Sequence, residues 1–174
     1  KGDVSEAFKV EGDWSNGAFL LCLSKWSDLN VEGLDMKSRQ GDKAIVDFLK
    51  VANEHQGESV TWDCTDTPDI APYMAIVSPF IFDRITLTGI GRLRIKESDR
   101  VKAVREQLDS IGVKTEETED TLTIYKYERS SDDPHKEPII ISSYHDHRMA
   151  MSLAVFGAAA EGVEIDNPDC VNIS

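Results

Sequence analysis

Apolar residues recur at helical spacing in five stretches of the chain, residues 15–25, 42–54, 70–82, 98–111 and 147–160, and each predicts a helix. In the fourth, Val101, Val104 and Leu108 share one face. Between these stretches lie short β-branched runs at 29–33, 85–89, 121–125 and 139–142, which read as strands. Such alternation predicts an α/β fold. The most polar stretch, 128–137, contains two serines, two aspartates and Pro134, and predicts a long surface loop. No stretch is rich enough in Pro, Gly and Ser to be an interdomain linker, so residues 1–174 read as a single domain.

The pattern also repeats. Gly12-Asp13-Trp14-Ser15 opens an apolar helix followed by Leu29-Asn30-Val31-Glu32-Gly33. Pro68-Asp69-Ile70 opens another, followed by Ile85-Thr86-Leu87-Thr88-Gly89, and His145-Asp146-His147 a third, followed by Val163-Glu164-Ile165-Asp166. Asp13 and Asp69 stand 56 residues apart, as do Gly33 and Gly89. This predicts repeated βαβαββ units, two full and one truncated, in a pseudo-three-fold arrangement. Each copy starts its helix at an acidic residue suited to capping the first N–H groups. Three-fold packing brings these helix N-termini to one end of the domain, where their partial positive charge favours an anion. Simple capping is the other reading of these aspartates, and for Asp13 alone the better one.

Composition narrows the function. A net charge of −13 argues against nucleic acid and against an anionic membrane surface as partners. A small anionic substrate stays open, because a few cations focused in a cleft outweigh a distant negative surface. Cys22, Cys64 and Cys170 are an odd number, far apart and without a C-x-x-C pair, which points to a reducing cytoplasm rather than to disulfides or zinc. The longest apolar stretches are too short to cross a bilayer, and no signal peptide opens the chain. The start at Lys1 and the stop at Ser174 suggest a piece of something larger.

Candidate chemistry gathers in two segments. In Arg92-Leu93-Arg94-Ile95-Lys96-Glu97-Ser98-Asp99-Arg100, Ser98 or Asp99 is placed to cap the next helix, and four cations crowd its N-terminus. The macrodipole disfavours each cation there by about 0.3–1 kcal/mol. Pairing of Glu97 and Asp99 with Arg100 and Lys96 relieves part of this, and a solvated ion-pair network is one reading. A phosphate or carboxylate site explains the excess of arginine better, since a guanidinium fork matches either group. Tyr144-His145-Asp146-His147-Arg148 repeats the pattern, with Arg148 in the first turn of a helix. His145 and His147 with Asp146 invite a metal, but the histidines stand at i, i+2 with no further histidine cluster near in sequence to supply another ligand. Asp69 reads either as a plain helix cap or, beside Glu97 and several cations, as a general base.

These residues resemble a family. Leu93-Arg94-Ile95-Lys96-Glu97-Ser98-Asp99-Arg100 is similar to the L-R-x-K-E-[ST]-D-R signature of the 3-phosphoshikimate 1-carboxyvinyltransferase (EPSP synthase) family, and Asp146-His147-Arg148-Met149-Ala150-Met151 to its D-H-R-[MI]-A-M signature. Glu11-Gly12-Asp13-Trp14-Ser15, Ser38-Arg39-Gln40-Gly41-Asp42 and Pro68-Asp69 resemble further family segments in the same order. The resemblance implies one half, the C-terminal domain, of a two-domain enzyme with its active site in the cleft between domains; the N-terminal domain and the extreme C-terminus would be lacking. It implies transfer of the enolpyruvyl group of phosphoenolpyruvate to the 5-hydroxyl of shikimate 3-phosphate, without metal or organic cofactor. By the same resemblance Asp69 accepts the hydroxyl proton and Glu97 exchanges a proton with the methylene carbon. Lys96 contacts the shikimate side, and Arg100 and Arg148 hold the phosphoenolpyruvate carboxylate.

Two positions depart from the family. Ile173 stands where a lysine is usual, and Arg92 where some members carry an asparagine that contacts the shikimate phosphate. Half a cleft predicts no turnover by this chain alone. A related enzyme acting on UDP-N-acetylglucosamine has the same fold, but its cysteine-bearing loop finds no match here. A non-catalytic binding or scaffold domain is the alternative that the loss of the lysine favours.

Overall fold

The computed structural model describes residues 10–128, 139–159 and 163–173. Its central part is one complete βαβαββ unit. Strand β1 (Ser59–Asp63) leads through a 3-10 turn at Pro68–Ile70 into helix α3 (Ala71–Val77), then β2 (Arg84–Thr88), α4 (Arg100–Ser110), β3 (Thr115–Glu117) and β4 (Thr121–Tyr125). The strands form a sheet in the order β1-β2-β4-β3, with β1 parallel to β2 and the other two pairings antiparallel. Alternation sets the register. Ile85 and Leu87 pair with Ile124 and Leu122 on the buried face, while Thr86 and Thr123 join hydroxyls at 2.9 Å. Leu87→Ala in this layer should cost about 2–5 kcal/mol.

Before this unit come α1 (Trp14–Leu23) and α2 (Ile45–Glu54); after it come β5 (Ile139–Ile141), α5 (His147–Ala159) and β6 (Val163–Ile165), with β5 and β6 parallel. Helix α3 is buried at every residue and packs against α1, α4 and α5, so it forms the axis on which the repeats meet. The predicted helix over 70–82 breaks into three pieces. Pro72 sits in the first turn of α3, where a missing N–H costs nothing, whereas Pro79 belongs to a second 3-10 turn, Ser78–Phe80, that ends the α-helix.

Residues 29–33 are not a strand, because among the described residues no neighbouring segment offers them a hydrogen-bonded ladder. The repeat nevertheless persists in the turn that follows. Gly33 has φ +87°, Gly89 φ +70° and Asn167 φ +40°, so all three copies leave the segment through the left-handed region. Glycine enters it freely and asparagine is the residue that tolerates it best otherwise. At Gly89 a side chain is excluded twice over, since a Cβ would lie 2.2 Å from Thr65 Oγ1. One full unit is thus present among the described residues, rather than two. β1 and β3 were not anticipated, and the loop expected over 128–137 lies, beyond Glu128, outside the described residues.

Candidate active site

The entries to α3 and α5, two of the three that the repeat predicts to converge, meet the entry to α4 at one end of the domain, and the join is electrostatic. Arg100, the first residue of α4, is 1% exposed. Its Nε donates to Asp146 Oδ2 at 2.8 Å; one terminal nitrogen donates to Glu97 at 2.6 Å and to Asp146 Oδ1 at 3.3 Å; the other donates to Asp69 Oδ1 at 3.2 Å. A guanidinium so enclosed is held by three carboxylates from three segments.

Asp69 does not cap a helix. It lies inside the turn Pro68–Ile70, whose entry has no side-chain cap, and its Oδ1 takes Lys96 Nζ at 3.2 Å as well as Arg100. Oδ2 of Asp69 has no hydrogen-bond partner among the described residues. Glu97 likewise spends one oxygen on Arg100, and its side chain is 58% exposed. Both carboxylates therefore keep one oxygen open. The cap of α4 is Asp99, which accepts from the Lys102 backbone at 3.0 Å. Asp99 pairs with Arg94 at 3.4 Å rather than with Lys96.

Arg94 is a correction to the anion-site reading. Its guanidinium donates to the carbonyls of Thr118 and Glu119 and to Glu117, so it fastens the β3–β4 turn to the segment before α4. Arg92, in the 3-10 turn Gly91–Ile95, is exposed and makes no hydrogen bond or ion pair among the described residues. Of the four crowded cations, then, Arg94 is structural, Arg100 is buried, Lys96 faces Asp69 and Arg92 is free of partners among the described residues.

Arg148 presents the contrasting case. It is half-buried in the first turn of α5, donates to Tyr73 Oη at 3.4 Å, and pairs with no carboxylate among the described residues. Burial works to lower its pKa, but Tyr73 and the fields of Asp69 and Asp42 outweigh it and hold Arg148 above its ordinary value. Burial also pushes the Tyr73 hydroxyl up to about 12. Tyr73 is thus a neutral prop that orients the guanidinium without neutralising it.

The backbone before α5 is strained to bring these groups together. Tyr144 and His145 both have φ +54°, a conformation costing on the order of 1–3 kcal/mol at a non-glycine residue. Their surroundings enforce it. The Tyr144 hydroxyl donates to Glu106, His145 Nδ1 is hydrogen-bonded to the Asn167 amide, and the Ser143 N–H donates to Asp166. Asp146 follows, fully buried, accepting also from Ser98 Oγ at 3.0 Å and from the Arg148 backbone at 2.9 Å. Burial alone would raise its pKa; Arg100, Ser98 and the Arg148 N–H outweigh that and depress it.

Sequence reading missed Asp146, Ser98 and Tyr73 as parts of the site. The usable signal was a carboxylate set directly before a helix whose first turn holds an arginine. No group of three His, Cys, Asp or Glu among the described residues is arranged to hold a metal. Ile173 ends the 3-10 turn Pro168–Ile173, and its side chain lies outside the described residues.

The described residues form an α/β fold around one full βαβαββ unit, and at the end where helices converge they include two carboxylates with one oxygen open and an arginine that pairs with none of their carboxylates. The profile of the EPSP synthase (3-phosphoshikimate 1-carboxyvinyltransferase) family matches residues 2–174, and the chain belongs to that family. A curated 3-phosphoshikimate 1-carboxyvinyltransferase from Methanococcoides burtonii is 31% identical over 96% of this chain and 41% of its own length. One from Clostridium novyi is 34% identical over 98% of this chain and 41% of its own. The chain thus spans about two-fifths of the curated relatives it matches. A solved EPSP synthase from Acinetobacter baumannii superposes with a TM-score of 0.76 at 22% identity, covering 93% of this chain and 43% of that one, and so shares the fold. No helix among the described residues is long and apolar enough to cross a membrane.

Proposed function

We propose that this chain is the C-terminal domain of a two-domain transferase that moves the enolpyruvyl group of phosphoenolpyruvate to the 5-hydroxyl of shikimate 3-phosphate in the cytoplasm. The observation that carries the reading is the arrangement of Asp69 and Glu97 around Arg100, each with one oxygen open, beside an Arg148 that has no carboxylate of its own. Family membership and the names of the relatives support it. The three free, buried thiols suit a reducing compartment.

In the addition step the 5-hydroxyl oxygen bonds to C2 of phosphoenolpyruvate. Asp69 takes the hydroxyl proton on its open Oδ2, and the π pair takes a proton from Glu97 at the methylene carbon. In the elimination step Glu97 recovers a proton from the new methyl group, the double bond re-forms, and phosphate leaves with the bonding pair. Arg148 binds the phosphoenolpyruvate carboxylate by a two-pronged contact, with Arg100 joining as it turns an N–H group from Glu97 to the substrate. Lys96 binds shikimate 3-phosphate, as does Arg92 from the exposed turn. Preorganised cations around a developing anion are the main source of rate.

Phosphate release, measured with this chain alone and with the complementary half of a relative added, tests the reading. Turnover only in the mixture is expected. Turnover by the chain alone overturns the two-domain part, and none in a mixture shown to associate overturns the transferase part.

A further inference from the structure

Arg100 faces three carboxylates, and the chemistry above passes negative charge between two of them. Before addition Asp69 must be ionised to accept a proton; afterwards Glu97 must be ionised to recover one. A guanidinium held only by these two would follow the charge, and each proton transfer would drag Arg100 with it. The third carboxylate is built differently. Asp146 is 0% exposed, while Asp69 and Glu97 side chains are 33% and 58% exposed. Both its oxygens are taken: Oδ2 by Arg100 Nε and Ser98 Oγ, Oδ1 by the second Arg100 nitrogen and the Arg148 backbone. Its position is held by the strained Tyr144–His145 pair and the hydrogen bonds that anchor it.

We propose that Asp146 is the standing counter-ion of Arg100, a positioning residue that keeps the guanidinium in one place while negative charge moves from Asp69 to Glu97 and back. The same carboxylate caps the helix that carries Arg148, so both arginines take their position from one buried group. This rests on the transferase reading. The other groups around the cluster are Lys96 and Glu97 from the segment before α4, Asp69 and Tyr73 from the entry and first turns of α3, and Arg148 from α5, with Asp42 acting on Arg148 from farther off. Of these, Asp69 and Glu97 are the ones the chemistry titrates.

Two experiments test this, and the first needs no turnover. In the isolated chain carrying Asp69→Asn and Glu97→Gln together, both mobile charges are gone and Asp146 is intact. The Arg100 Nε–H resonance should remain slowly exchanging and near its wild-type position. Its collapse into rapid exchange would show that the catalytic carboxylates hold Arg100, and overturns the proposal. The second uses Asp146→Asn in the chain joined with its complementary half. The expected result is a fall in kcat of about ten- to a hundred-fold, the worth of a charge-assisted hydrogen bond, with the pH profile displaced to lower pH because loss of the Asp146 charge leaves the cluster around Arg100 more positive. A lower Tm with an unmoved pH profile is what a structural role predicts, and overturns the proposal. If Asp146→Asn does not fold, the first experiment decides alone. A wild-type mixture that associates but releases no phosphate defeats the transferase reading, and the resonance of Arg100 still judges Asp146.

Discussion

The starts of α4 and α5 each place an arginine in the first helical turn, where the macrodipole opposes it. Arg100 at α4 is buried and enclosed by Asp146, Asp69 and Glu97. Arg148 at α5 is half-buried, supported by a neutral tyrosine and paired with no carboxylate among the described residues. The two obey the same electrostatics with opposite results. A guanidinium saturated by protein carboxylates serves the architecture first, because removing its partners strands a charge in a medium that cannot solvate it. A guanidinium raised out of bulk water but not neutralised has field to spare for an incoming anion. Mere presence of an arginine at a helix start therefore does not identify a ligand; the balance of carboxylates around it does.

Removing each charge in turn gives the largest separation between the two. Arg100→Met leaves Asp146 buried without its partner and should cost about 3–5 kcal/mol of stability. Arg148→Met leaves no carboxylate stranded, only the buried Tyr73 hydroxyl without its donor, and should cost less, about 1–3 kcal/mol. Urea titrations followed by circular dichroism compare them directly. Equal losses would break the contrast.

A second separation concerns rate. Asp69 touches Arg100 but caps nothing, so Asp69→Asn in the chain joined with its complementary half should lower kcat by about 10²–10⁴-fold, the usual worth of a general base. The Tm should stay close to that of wild type, since Asp146 still neutralises Arg100. A variant that kept most of its kcat would make Asp69 an ion-pair partner only, with Glu97 the remaining candidate for the base.

Arg148→Lys sharpens the other side. It keeps the charge and loses the planar fork. The phosphoenolpyruvate KM should rise by about ten-fold or more, the loss of one charge-assisted contact, while the shikimate 3-phosphate KM moves little. A matched rise in both would mean that Arg148 orders the cleft as a whole.

How far this contrast could be read from sequence depends on the residue. The helices were legible, because Val101, Val104 and Leu108 or the apolar run of α3 need no partner to announce a face. Strands were less so. Leu29 to Gly33 has β-branched character and the right glycine, but a strand exists only where a ladder partner lies beside it. Ser59–Asp63 is an edge strand of five residues in which Val60 and Trp62 alternate with polar neighbours, a signal that was present but short. The two motifs marked where charged residues gather, and Asp69, Lys96, Glu97 and Arg100 do meet. Sequence could not divide the cations by task. Arg94 and Arg100 stand six residues apart in one motif, yet the first is tied to a β-turn and the second to a buried carboxylate 46 positions away.

The smallest expected effect is one of slope, and it isolates Asp146. Burial opposes ionisation of this carboxyl, yet Arg100, Ser98 and the Arg148 N–H prevail and hold it below the ordinary carboxylate range when folded. In the unfolded chain it returns to about 3.9. A group whose folded pKa is the lower one binds fewer protons when native, so its contribution is complete above the unfolded value and is lost as pH falls from there through the folded one. Wild-type stability should therefore drop with extra steepness below about pH 4. In Asp146→Asn the general level is lower at neutral pH, because the amide cannot neutralise Arg100, but this part of the acid slope disappears. Urea midpoints taken from neutral pH down through the acid transition would display it as two curves that draw together on the acid side. Curves that stay parallel would mean that the Asp146 carboxyl holds its proton equally well folded and unfolded. Its attraction to Arg100 would then do no more than offset its burial, and the distinction between the two arginines would rest on burial rather than on charge.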